Sequence, residues 1–196
     1  MRTRNRWIPA AALCLAIPLA LRGEVKGTCE QAVEASVQPG AAMRMRFESG
    51  DISIAGVARS QLRVTCELSY PEKAKKVSIQ YESGELRISG GPKHEVHFKI
   101  EVPRNTNLFI RSPHGDLTIS GVAGDKDIEM HSGDATIDVG NPADYKHADA
   151  SVWAGNLTAT PFAVDKDGLF RRFNRDNAAG KYSLHVHVFT GDVTLR

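Results

Sequence analysis

One short phrase recurs along this 196-residue chain and restricts what it can fold into. Ser49-Gly50-Asp51-Ile52-Ser53-Ile54 returns as Ser83-Gly84-Glu85-Leu86-Arg87-Ile88 and as His114-Gly115-Asp116-Leu117-Thr118-Ile119. It returns again as Ser132-Gly133-Asp134-Ala135-Thr136-Ile137, Ala154-Gly155-Asn156-Leu157-Thr158-Ala159 and Thr190-Gly191-Asp192-Val193-Thr194-Leu195. Each copy reads small or polar, Gly, Asp/Glu/Asn, apolar, polar, apolar. The glycine permits a backbone corner closed to other residues, and the acid or amide that follows can accept backbone N–H groups there. A strand then begins, with alternate side chains pointing inward.

The period of two continues outside the phrases. Val33/Ala35/Val37, Met43/Met45/Phe47, Leu62/Val64/Cys66/Leu68, Val77/Ile79/Tyr81, Val96/Phe98/Ile100/Val102 and Leu184/Val186/Val188 all alternate with other residues. No convincing helical stripe interrupts them, so the chain reads as all-β. The phrase glycines are 34, 31, 18, 22 and 36 residues apart. Units of that size cannot bury an apolar face alone and must stack. The expected fold is a single-domain β-solenoid with Gly-Asp corners, and the longer spacings leave room for extra strands near 61–70 and 76–82. A Greek-key β-sandwich is the alternative, although it gives no reason to repeat the corner chemistry. Residues 164–180 break the rhythm as a polar excursion, with Leu169, Phe170 and Phe173 expected to tuck it down.

The first 23 residues read differently. Arg2, Arg4 and Arg6 precede an uncharged stretch from Trp7 to Leu21, interrupted by Pro9 and Pro18. That stretch is short of the roughly 20 apolar residues of a spanning helix. It fits a secretory signal peptide over 1–23, followed by a repetitive β domain over 24–196; an uncleaved anchor is the other reading. The whole chain carries 25 Lys/Arg, 23 Asp/Glu and a formal charge of +2. Removing the segment's four arginines leaves 21 basic residues against 23 acidic ones, a charge of −2, with no basic cluster suited to nucleic acid. Of three cysteines, Cys29 and Cys66 remain. A pair in an exported chain reads as a disulfide, worth on the order of 3–4 kcal/mol for a loop of this size.

With these residues in place, the chain resembles the bacterial "putative adhesin" family of repetitive β proteins, whose domain is also called toastrack. The resemblance rests on the repeated Gly-Asp-apolar-polar-apolar phrase, the exported start and the closing Gly191-Asp192-Val193-Thr194-Leu195, and covers roughly residues 40–196. It implies a β-solenoid attached to the cell envelope, with a role in adhesion or envelope-stress sensing. It supplies no catalytic residues. Unlike many members, this chain has no lipobox, since Cys14 lies deep inside the apolar stretch.

Several groups are candidates for chemistry. Asp51, Glu85, Asp116, Asp134 and Asp192, with Asn156, occupy one repeat position and serve either as corner caps or as a cation column. Like charges stacked about 4.8 Å apart repel, so either cations bind or the corners fall on different edges. His185 and His187 alternate on one strand face and are weak metal candidates, with His94 and His97 as conceivable cross-strand partners. His114 and His131 stand beside corner glycines. Trp153, Phe162, Phe170 and Phe173 form either a binding patch or an end plug. There is no G-x-S-x-G elbow, P-loop or dinucleotide fingerprint. The expected protein is an exported, non-catalytic envelope scaffold without a cofactor, in the periplasm, on the outer surface or secreted. Its partner would be an envelope component, a glycan or a protein, or a second copy meeting its open ends. A carbohydrate-binding or carbohydrate-active β-helix is the alternative.

Overall fold

A computed structural model describes residues 24–92 and 95–196; the proposed signal peptide and His94 lie outside the described residues. The strands in chain order are β1 (Val25–Gly27), β2 (Val33–Ser36), β3 (Ala42–Phe47), β4 (Asp51–Val57), β5 (Gln61–Leu68) and β6 (Val77–Glu82). Next come β7 (Glu85–Gly90), β8 (Val96–Pro103), β9 (Asn107–His114), β10 (Leu117–Ser120), β11 (Lys126–Ser132) and β12 (Ala135–Ile137). The chain ends with β13 (Tyr145–Ala154), β14 (Leu157–Ala159), β15 (Val164–Lys166), β16 (Leu169–Asp176), β17 (Tyr182–Thr190) and β18 (Val193–Leu195). Helix among the described residues is limited to three short 3-10 turns. The chain is all-β.

The strands form two nine-stranded mixed sheets. The first runs β1-β6-β7-β3-β9-β11-β17-β13-β16 and the second β15-β14-β18-β12-β10-β4-β8-β5-β2. Five layers make the middle, each a strand of the first sheet joined through a phrase to a strand of the second. In space they run β3/β4, β9/β10, β11/β12, β17/β18 and β13/β14, and every junction between adjacent layers is parallel. The antiparallel sheets of a Greek-key sandwich lack such junctions. Layer order is not chain order. The C-terminal pair β17/β18 is inserted between β11/β12 and β13/β14, and the long phrase spacings come from the extra strands β5, β6, β8, β15 and β16 that lie between phrases in the chain.

Parallel register stacks like on like. Met45, Ile110, Ile128, Val186 and Ala150 line up across the first sheet, and Ile52, Leu117, Ala135, Val193 and Leu157 across the second. All ten are buried in one continuous core between the sheets, each large aliphatic contributing roughly 1.5–3 kcal/mol. Lys126 takes an inward position among them and is buried.

Two expectations are corrected, the Ser83 corner and the burial of Leu169 and Phe170. The phrase at Ser83-Gly84-Glu85 is not a corner between sheets: it closes the β6–β7 hairpin, both of whose strands lie in the first sheet. Ser83 and Gly84 both have positive φ, 49° and 86°, as a two-residue hairpin turn of that kind requires. The same residues suit both turns, so the phrase alone cannot tell them apart. The segment 164–180 contains the antiparallel edge strands β15 and β16, one for each sheet. Of Leu169, Phe170 and Phe173 only Phe173 tucks in, while Leu169 and Phe170 are 59% and 63% exposed.

At the far end, Cys29 and Cys66 form a disulfide with Cα atoms 5.3 Å apart. It links the turn after β1, an edge of the first sheet, to β5 of the second.

Candidate functional site

The phrases place five residues on one edge of the molecule, and each carboxylate meets the backbone of the next layer. Asp51 Oδ1 accepts from the Asp116 N–H at 3.0 Å, and Asp116 Oδ1 from that of Asp134 at 2.9 Å. Asp134 Oδ1 accepts from Asp192 at 2.8 Å, and Asp192 Oδ1 from Asn156 at 2.8 Å. The corners share one edge, contrary to one alternative above, and the repulsion is met by amide dipoles, since each carboxylate gains a backbone donor. The last layer carries the amide: Asn156 Nδ2 donates to Asp192 Oδ2 at 3.3 Å, so that layer adds no charge. The glycines are required by contact as well as conformation. A Cβ on Gly155 (φ +142°) would stand 1.9 Å from the Gly191 carbonyl oxygen. Glu85, in its hairpin, instead pairs with Arg87, whose guanidinium draws the carboxyl below its usual range.

The outer face of the first sheet is chemically different. Six positions before each corner glycine stand Arg44, Phe109, Asp127, His185 and Asp149, in spatial order. Four before stand Arg46, Arg111, Glu129, His187 and Ser151, and two before, on the last four layers, Pro113, His131, Phe189 and Trp153. Five histidines, His114, His131, His147, His185 and His187, gather on or beside this face. His97 lies in the second sheet, its Nε2 2.9 Å from Ser53 Oγ, and so does not join His185 and His187.

The middle of the face is a chain of polar contacts. Arg111 reaches Asp127 Oδ1 with Nη1 at 2.9 Å and Glu129 Oε2 with Nε at 3.0 Å. His185 Nδ1 is 2.8 Å from Asp149 Oδ2, and the other oxygen of Asp149 is 3.2 Å from His147 Nε2. His147 Nδ1 is 2.6 Å from Asp176 Oδ1, and that bond, helped by the charge of Asp149, raises the imidazole pKa above its ordinary value. His187 Nδ1 lies 2.9 Å from Ser151 Oγ. Asp149 is buried, which is rare for an acid without several partners.

An aromatic row borders these groups. The rings of His131 and Phe189 stack at 5.0 Å and 4°, those of Phe189 and Trp153 at 5.5 Å and 15°. Phe170 on β16 ends the row 4.1 Å from Trp153 at 68°. Phe170 has φ +57°, an uncommon backbone state for a bulky residue. Phe162 and Phe173 are instead buried against each other at 5.3 Å, so the four aromatics divide between plug and surface. A groove of about 450 Å³ runs beside the row, lined by Arg46, Arg111, Glu129, His131, His187 and Phe189 among others.

Lys126 is the remaining unusual group. Its Nζ donates to Tyr145 Oη at 2.6 Å and to the Gly124 carbonyl at 3.3 Å. Burial pushes its pKa down to about 8, opposed by the charges of Asp138 and Asp125, and burial raises that of Tyr145. A second groove, of about 270 Å³, opens beside Tyr145 and Tyr182.

The sequence pattern marks His185 and His187 but not Asp127, Glu129, His147 and Asp149. Aligning the copies on their glycines, and counting backwards as well as forwards, would have put Asp127, Asp149 and His185 in one column.

The two mixed sheets define an all-β architecture that is found in a solved structure. A "putative cell adhesion protein" from Clostridium sporogenes superposes with a TM-score of 0.51 at 17% identity, over 84% of this chain and 98% of that one. A "putative adhesin" from Parabacteroides merdae aligns over 84% of this chain and 80% of that one, at 11% identity and a TM-score of 0.28. No protein-family model and no curated protein sequence matches the chain.

Proposed function

We propose that this chain is an exported, non-catalytic β-solenoid of the bacterial cell envelope, acting as an adhesin-like scaffold. The observation that carries the reading is the stack of five layers locked by Gly-Asp corners. Parallel in-register junctions hold an outer face of fixed spacing, which suits display of repeated contacts rather than closure around a substrate. Three further points support it: the Cys29–Cys66 disulfide, which belongs to an oxidising compartment; the fold shared with the Clostridium sporogenes protein; and the cationic, apolar start of the sequence. The partner is an envelope component, a glycan or a protein. The test incubates purified residues 24–196 with a panel of insoluble polysaccharides and envelope preparations. Saturable retention without release of reducing ends is expected. Release at enzyme-like rates overturns the reading.

A specific observation favours a second reading, carbohydrate binding. Trp153, Phe189 and Phe170 are exposed beside a groove carrying arginine, glutamate and histidine, a mixture of apolar and polar groups that suits sugar rings. Soluble oligosaccharides that quench Trp153 fluorescence saturably, with loss of binding in Trp153→Ala, would establish it.

A further inference from the structure

We propose that Asp127, Glu129 and His185 form a surface site for a divalent transition metal of the zinc class. One ligand atom from each lies within 4.8 Å of the others. They come from adjacent parallel strands whose register is fixed: Asp127 of β11 is opposite His185 of β17, and Glu129 is the next outward residue along β11. Two carboxylates and an imidazole form a donor set for zinc-like ions, with the remaining positions open to water.

The surrounding contacts are those of ligands already aimed. His185 gives Nδ1 to Asp149 at 2.8 Å, which makes Nδ1 the donor and leaves the Nε2 lone pair for an ion. Asp149 is 7% exposed, so this carboxylate is built into the sheet rather than lying over it. Arg111 lies within ion-pair distance of Asp127 Oδ1 and Glu129 Oε2, and those contacts do not use Asp127 Oδ2 or Glu129 Oε1. A second observation points the same way. Asp127 Oδ1 is shielded from solvent and has only a badly aligned ion pair with Arg111, without a true hydrogen bond. A shielded carboxylate oxygen in that state is under-satisfied, and a cation meeting both oxygens of Asp127 would relieve it. The guanidinium neutralises part of the acidic charge, so the site is of moderate affinity and takes up its ion reversibly.

The test titrates chelator-stripped residues 24–196 with Zn²⁺ by calorimetry at pH 7.5. One ion per chain is expected. His185→Gln and Asp127→Asn should each weaken binding at least tenfold. Asp149→Asn, which acts through His185, should weaken it about ten- to hundredfold. His97→Gln, which alters a histidine of the second sheet, should leave it unchanged. Asp149 is buried and the other varied residues are not, and the melting temperature of each variant without zinc shows whether it is folded. Imidazole ¹⁵N shifts separate positioning from structure: Nε2 of His185 should carry the metal in the wild type and lose that preference in Asp149→Asn. No saturable binding up to about 1 mM Zn²⁺ overturns the proposal. So does binding that survives His185→Gln, or that disappears with His97→Gln.

Discussion

The corner edge and the outer face of the first sheet are built from the same five layers, yet they obey opposite rules. On the edge four of the five layers repeat an aspartate, and each copy completes the next through a carboxylate–amide bond. On the face the layers repeat only spacing, while residue types change from arginine to acid to histidine to aromatic. Repetition belongs where the requirement is a backbone requirement, identical in every layer. Variety belongs where no backbone need constrains the side chain. Edge substitutions should therefore act mainly on stability, and face substitutions mainly on titration or binding.

The sharpest way to break that division is Gly155→Ala. Its Cβ would meet a backbone oxygen at 1.9 Å, which cannot rotate away, at a φ hostile to alanine. A loss of at least about 3 kcal/mol is expected in urea unfolding. A loss under about 1 kcal/mol would mean that the corners are adaptable and the edge is not the rigid element.

Lys126 probes the core that both regions share. Its pKa is about 8 when folded and about 10.4 when unfolded. Between those values the unfolded chain keeps a proton that the folded chain has released, so stability rises with pH across the window. The rise amounts to as much as about 3 kcal/mol. Lys126→Met removes it, although Tyr145 Oη then loses a partner. The two proteins' unfolding free energies should therefore diverge between pH 8 and 10, the wild type gaining on the variant. Parallel curves would show that the ammonium is not buried in solution. Above pH 10 the raised pKa of Tyr145 acts the other way, because the folded state then holds the extra proton.

How much of this was legible in the sequence follows from the same division. The corner phrase and the period of two placed most strands, and all six phrase glycines have positive φ. The order of layers was not legible: nothing local tells β17 to insert between β11 and β13, since any parallel neighbour offers the same ladder. Gly84 was misread because a hairpin turn and a corner have the same residue requirement. Asp127, Asp149 and His147 went unnoticed because alternation marks such positions only as outward. Their meeting depends on register, which the glycine alignment encodes and a strand-by-strand reading does not. Leu169 and Phe170 failed differently: apolar residues in an irregular segment suggest burial, but an antiparallel edge strand exposes one of its sides.

A milder test of the edge is Asp134→Ala, which removes the acceptor for the Asp192 N–H. About 1–2 kcal/mol should be lost, the cost of one charge-assisted bond to backbone. Asp134→Asn keeps an acceptor oxygen and removes a charge from the column, so it should recover most of that loss. If the asparagine variant is as weak as the alanine one, the charge itself matters and a cation column becomes the better account of the edge.

The smallest effect, and the cleanest for the face, concerns His147. Its imidazole is held by Asp176 first and by Asp149 behind it, and both favour the protonated form. A raised folded pKa means that any stability from these contacts is fully present below the unfolded value near 6.5, and fades as pH climbs through the folded one. The side chain is open to solvent, so melting curves should hardly register it, whereas an NMR titration should place its midpoint above 6.5. Asp176→Asn should bring that midpoint down while leaving the corner edge and its amide protection untouched. A midpoint already at the ordinary value in the wild type would mean that His147 and Asp176 do not meet in solution. Asp149 would then hold its single buried charge through His185 alone.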